Sequence, residues 1–130
     1  MFVQDIAIAT YQCIHFVTKA EAVAPTDIKR AGLELAHIDA GNLVGERDLL
    51  SSLAAELRFP SYYGVNWDAL DECLRDLSWL PARGYVIQVS KAAEMWLRLT
   101  PTAGKLIEVS LAAAEAWAGK GVSFHLVFVV

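Results

Sequence analysis

The segment from residue 66 to residue 77 concentrates ionisable side chains at helical spacing. On an α-helix turning about 100° per residue, one face would hold Asp68, Asp71, Glu72, Arg75 and Asp76. The opposite face would hold Trp67, Leu70, Leu74 and Leu77. Residues 61–80 contain four acids and one base, so this stretch carries −3 of the chain's net charge of −4. The pattern predicts an amphipathic helix with an acidic outer face.

This acidic face has two interpretations. Like charges at these spacings weaken an isolated helix by a few tenths of a kcal/mol per pair, which indicates selection for something other than folding. The face could simply be solvated, as most charge runs are, or it could meet a cationic cleft on a partner. Aromatic residues, which are enriched at interface hot spots, flank it at Tyr62, Tyr63, Trp67 and Trp79.

Catalytic and metal-binding chemistry is not predicted. Asp68 with Glu72 or Asp76 could form an acid/base pair, but an exposed helix face offers no apolar pocket to raise one carboxyl pKa. Asp68 and Glu72 alone would leave most metal coordination positions to water. The three histidines are isolated in the sequence and are interpreted as structural, and two cysteines are too few for a disulfide framework. We expect a non-enzymatic protein without cofactor or metal.

Composition limits the remaining classes. The chain has 130 residues, 55% of them hydrophobic and 20% charged, which fits one folded domain. Its negative charge argues against direct nucleic-acid binding, and its apolar runs are shorter than the roughly 20 residues that span a bilayer. Residues 1–9 include no basic side chain and lack the pattern of a secretory signal. We therefore expect a cytoplasmic protein, monomeric and without membrane contact.

The elements that must position the acidic face follow from the apolar periodicity. Strands are predicted at residues 13–17, 33–39, 85–89 and 122–130, and helices at 25–31, 46–57, 67–77, 92–99 and 103–118. Pro60 is expected to stop the second helix, and Asn66 to cap the third. Strands separated by helices predict an α/β fold with a parallel sheet.

The residues of the acidic segment also resemble a known signature. The run Phe59-Pro60-Ser61-Tyr62-Tyr63-Gly64-Val65-Asn66-Trp67-Asp68-Ala69-Leu70-Asp71-Glu72-Cys73-Leu74 closely resembles the barstar family of ribonuclease inhibitors. The resemblance continues through Trp79-Leu80-Pro81 to Gly84-Tyr85-Val86. It implies a three-stranded parallel sheet packed with helices over residues 33–130. Residues 1–32 would be an extension, a short strand and helix packed on the same domain, which either extends the sheet edge or serves another contact.

The resemblance further implies a function. Loop 60–65 and helix 66–77 would block the active site of a basic, guanyl-specific-type microbial ribonuclease. The partner-binding residues would be Tyr62, Tyr63, Gly64, Asn66, Trp67, Asp68, Asp71, Glu72, Arg75 and Asp76. Asp68 would pair with a basic residue, and Glu72 would take the place of the substrate phosphate, where the family usually has aspartate. The alternative is a binding module or immunity protein that uses the same surface against another basic protein or toxin.

Overall fold

The structure, a computed structural model, describes residues 13–130. Within this range the strands are β1 (Ile14–Val17), β2 (Leu33–Asp39), β3 (Gly84–Ser90) and β4 (Ser123–Val129). The helices are α1 (Pro25–Arg30), α2 (Glu46–Glu56), α3 (Trp67–Asp76), α4 (Ala92–Arg98) and α5 (Thr100–Ala118). A short 3₁₀ helix, Ala40–Asn42, follows β2. The element types and order predicted from the sequence for this range are confirmed.

The described strands form one parallel sheet in the order β1-β4-β3-β2. Every residue of β4, and all but the last of β3, is buried, as the nearly continuous apolar runs of central parallel strands require. The extra N-terminal strand lies at the sheet edge, where Ile14 aligns with Leu126 of β4. The predicted α/β fold, a three-stranded parallel sheet with one added strand, is therefore confirmed. The division of the chain at residue 32 stays a prediction.

The core lies on both faces of this sheet. The larger cluster fills the space between the sheet and α2, α3, α4 and α5, while a smaller one lies under α1 around Ile28, Leu33 and Leu35. Among residues 13–130, no helix is long and apolar enough to cross a membrane.

The end of helix α2 differs from the prediction in its cause. The predicted bounds, 46–57, are confirmed to within one residue, but Pro60 does not end the helix. Arg58 adopts a left-handed φ of 53°, and the N–H groups of Arg58 and Phe59 donate to the carbonyls of Ala55 and Ala54. This is the Schellman arrangement, which ends a helix by itself.

Two histidines that are isolated in the sequence meet in the fold. His15 Nε2 lies 2.9 Å from His125 Nδ1 between the neighbouring strands β1 and β4.

Helix α3 is fixed at both ends. The Asn66 side-chain oxygen accepts the N–H of Ala69 at 2.8 Å, which is the predicted N-cap. At the other end Leu77 takes a left-handed φ of 45° and its N–H donates to the Cys73 carbonyl. The inner face packs on α5, whose Trp117 indole N–H donates to the Leu74 carbonyl at 2.8 Å. The orientation of α3 is thereby set.

We predict that Leu74→Ala destabilises the fold by about 2–5 kcal/mol, because Leu74 is fully buried and its removal leaves a cavity. Urea unfolding monitored by circular dichroism measures the change. Leu97→Ala, at an 83% exposed leucine on α4, is the control and should change stability by less than about 0.5 kcal/mol. Equal effects of the two substitutions would contradict the assignment of the buried face.

We also predict that Asn66→Ala costs about 1 kcal/mol, because the Ala69 N–H loses its acceptor at the start of α3. Asn66→Asp, which keeps a side-chain oxygen at the cap and adds a charge favourable at a helix N-terminus, should retain the stability. Thermal melts of the two variants separate capping from a general effect of substitution at this position.

Candidate functional site

The loop before α3 is held by aromatic side chains that pack edge to face. The Phe59 ring meets Tyr63 edge-on at 4.8 Å and Trp79 edge-on at 5.8 Å between centroids. The Trp79 indole N–H donates to the Leu57 carbonyl at 3.0 Å, which ties the loop to the end of α2. Tyr62, in contrast, is 77% exposed. The loop is thus anchored by three aromatic residues and presents a fourth to solvent.

The two tyrosines therefore have different environments. The Tyr63 hydroxyl is buried and makes no hydrogen bond to the part of the chain that the structure describes. Burial, and secondarily the nearby Cys73 thiol, raises the pKa of Tyr63 to about 12. Tyr63 thus remains protonated and supports the loop from inside, whereas Tyr62 is free to contact another molecule.

Gly64 and Asn66 shape the turn into α3. A Cβ on Gly64 would lie 3.2 Å from the Asn66 side-chain nitrogen, closer than nearly all real contacts. Glycine at this position therefore leaves room for the Asn66 side chain, which caps α3. Gly64 and Asn66, both predicted to bind the partner, thus have a structural role in shaping the loop.

Trp67 joins three helices at the start of α3. Its ring is half-buried against the core, and its indole N–H donates to the Glu46 carboxylate on α2 at 3.0 Å. On α5, Lys105 places its ammonium 5.7 Å from the ring centroid, within the range of a cation–π contact. Trp67 thus supports the acidic face and borders it.

The carboxylates of α3 are not equivalent. Asp71 accepts two hydrogen bonds from the Arg75 guanidinium, the shorter at 2.8 Å, in an ion pair one helical turn apart. Within residues 13–130, Asp68, Glu72 and Asp76 form no ion pair, and all three are exposed. We call these three residues the acidic stripe. It carries the uncompensated charge of the helix.

Cys73, the residue after Glu72, has a buried thiol. Burial raises the pKa of Cys73, and the negative charges of Glu72 and Asp76 raise it further. A thiol with a raised pKa has little thiolate at neutral pH and reacts slowly. Cys73 is therefore a packing residue on the inner face of α3.

A cleft beside the stripe adds residues that the sequence analysis did not single out. It has a volume of about 320 Å³ and is lined by Trp67, Asp68, Asp71, Lys105, Glu108 and Val109. Glu108 belongs to α5, and only the packing of α5 on α3 brings it to the stripe. The structure thus gathers carboxylates from two helices around one half-buried tryptophan.

Among the described residues, no three His, Cys, Asp or Glu side chains are grouped so that they could hold a metal ion. The arrangement is a fixed array of exposed carboxylates with an aromatic border, which can accept hydrogen bonds from arginine, lysine or protonated histidine.

Comparison with known proteins agrees with this geometry. Residues 33–129, about three quarters of the chain, match the family model described as Barstar (barnase inhibitor). A search of curated proteins found no match. The matched range contains β2, β3 and β4, the aromatic loop and the acidic stripe. The chain therefore belongs to the barstar family.

Proposed function

We propose that this chain inhibits a basic ribonuclease of the guanyl-specific microbial type by placing α3 and loop 60–65 in the enzyme's active site. The observation that carries the proposal is the acidic stripe: three exposed carboxylates that form no ion pair with any residue from 13 to 130, on a helix whose position is fixed. Membership of a family of protein inhibitors supports the same role. In this function the chain binds as a monomer in the cytoplasm and catalyses nothing.

The chemistry of the partner follows from the stripe. A ribonuclease active site holds the substrate phosphate with cationic donors, and a carboxylate offers those donors an anion of similar hydrogen-bonding capacity. Glu72 is the best candidate for that position because Asp71, its neighbour on the helix, is already paired with Arg75. Asp68 and Asp76, one turn to either side, would contact basic residues at the rim of the cleft.

The surface is also preorganised. Phe59, Tyr63 and Trp79 hold the loop, and the Asn66 cap and Trp67 contacts hold the first turn of α3. Binding at such a surface orders few side chains, so less of the interaction energy is lost as entropy. Tyr62, already exposed beside the stripe, would supply aromatic contact area at low entropic cost.

A second function uses the same surface against a different basic protein or toxin. Two features support this second function. Glu72 is one methylene longer than the aspartate usual in the family, and Asp71 and Arg75 form an ion pair on the same helix. These features suit a cationic pocket of somewhat different depth. Binding to a panel of partners separates the two functions, because both require the stripe but only one requires a ribonuclease.

We predict that Glu72→Ala weakens ribonuclease binding by about 2–5 kcal/mol, because the enzyme's cationic pocket loses its anion. This general range for buried charge pairs already includes the barnase–barstar complex as one of its examples. Calorimetric titration against a panel of small basic microbial ribonucleases measures this. Glu94→Ala, which removes an exposed carboxylate from α4, is the matched control and should leave affinity nearly unchanged. A loss below about 0.5 kcal/mol for Glu72→Ala would remove Glu72 from the anchoring position.

We further predict that association with the enzyme slows as salt increases and that Asp68→Asn reduces this salt dependence. Exposed charges steer encounter, and their field is screened within about 8–10 Å at physiological ionic strength. Stopped-flow association rates at low and moderate salt test the effect for the wild type and for Asp68→Asn. Rates that do not depend on salt would contradict a steering role for the stripe. Tight, stripe-dependent binding to a protein without ribonuclease activity would favour the second function.

A further inference from the structure

The edge of the sheet formed by β2 is separate from the acidic stripe. Strand β2 pairs with β3 on one side. On the other side the His37 N–H points away from β3 and donates to the Glu56 carboxylate of α2 at 2.8 Å. Backbone groups alternate in direction along a strand, so Leu33, Leu35 and Asp39 direct theirs to this same side. Since no strand among residues 13–130 pairs with this side of β2, the edge is a template for another strand.

Two grooves lie along this edge, one on either side of Glu56. The groove at the start of β2, here called the lower groove, has a volume of about 510 Å³ and is lined by Leu33, Leu35 and Arg58. The groove at the end of β2, the upper groove, has a volume of about 580 Å³ and is lined by His37, Asp39 and Asp48. Glu56 lines both. Its carboxylate therefore lies between the two grooves and accepts the hydrogen bond of the His37 N–H at the centre of the strand edge.

The two grooves carry opposite charge. Setting Glu56 aside, the residues lining the lower groove include two cations, Lys29 and Arg58, and one anion, Glu34. Those lining the upper groove include two anions, Asp39 and Asp48, and neither lysine nor arginine. Asp39 also lies 3.9 Å from the Lys91 ammonium, so Asp48 contributes most of the negative charge there. The polarity thus runs from positive at the start of β2 to negative at its end.

We propose that the free edge of β2 is a pairing site for β2 of a second copy of this chain, and that Glu56 holds it closed. In an antiparallel arrangement with the two-fold axis at Ala36, Leu35 faces His37 of the second copy and Leu33 faces Asp39 of the second copy. All of these residues direct their backbone groups outward. The His37 N–H then exchanges the Glu56 carboxylate for the Leu35 carbonyl of the second copy.

Charge complementarity selects a second copy as the occupant. The two-fold axis brings the positive lower groove of each copy against the negative upper groove of the other, so the same attraction occurs twice, as in any isologous interface. Where α2 borders the channel, its residues Ser51, Ser52 and Ala55 are small and leave room for the incoming strand. Carboxylates at sheet edges commonly prevent pairing of this kind, which is the role of Glu56 in the free chain.

The first test is sedimentation velocity of the full chain and of Glu56→Ala over a range of concentrations up to about 1 mM. The wild type is expected to associate weakly, and Glu56→Ala to lower the dimer dissociation constant at least tenfold, because the edge is then uncapped. Glu115→Ala, on the exposed side of α5, removes the same charge elsewhere and should behave as wild type. A folded Glu56→Ala protein that stays monomeric throughout overturns the proposal.

The second test fixes the arrangement by charge reversal in the Glu56→Ala background. Adding Arg58→Glu or Asp48→Lys should each weaken self-association, because like charges then meet at both ends of the pair. A mixture of the two variants should recover a heterodimer, since each end again joins opposite charges. Circular dichroism checks that both remain folded, since Asp48 also accepts the Val44 N–H. If the charge-reversal variants dimerise as strongly as Glu56→Ala alone, or if their mixture stays monomeric, the antiparallel pairing is overturned.

Discussion

Burial of one face of α3 is the constraint on which the functional surface depends. Leu70 and Leu74 are fully buried and Cys73 nearly so, and the Trp117 indole holds the backbone of the same turn. Because side chains of a helix have fixed angular positions, burying these residues turns Asp68, Glu72 and Asp76 to solvent. The acidic stripe is therefore a geometric consequence of the core.

The stripe shows how folding and binding place opposite demands on the same helix. Adjacent carboxylates repel one another and contribute nothing to the packing of α3, so the fold must stabilise the helix by other means. The Asn66 cap, the Asp71–Arg75 pair and the Trp67 contacts supply that stabilisation. A cationic partner, as proposed, would relieve the repulsion, so an energetically unfavourable surface can be a favourable interface.

The molecule treats its two interaction-prone surfaces in opposite ways. On α3 the described chain leaves three carboxylates without a cation, open to a partner. On β2 the Glu56 carboxylate accepts the backbone N–H of His37, which could otherwise donate to another strand. In the proposed functions, the carboxylates of α3 bind a partner, whereas the carboxylate beside β2 caps the strand edge of its own chain. The difference lies in which donor the carboxylate can reach.

The sequence by itself determined the elements and the two faces of α3. Both follow from local periodicity and from the capping chemistry of Asn66, and the signature at residues 59–74 predicted membership of the barstar family, which is confirmed. The sequence did not reveal that Arg58 ends α2, because a left-handed arginine has no compositional signal.

Only the tertiary structure decided which distant residues meet. The approach of Glu108 to the stripe, the Trp67 bond to Glu46, the contact of His15 with His125 and the Glu56 cap on β2 all join positions on different elements. Periodicity within one element specifies a face but not the neighbour it meets. That neighbour depends on how the helices pack around the whole sheet.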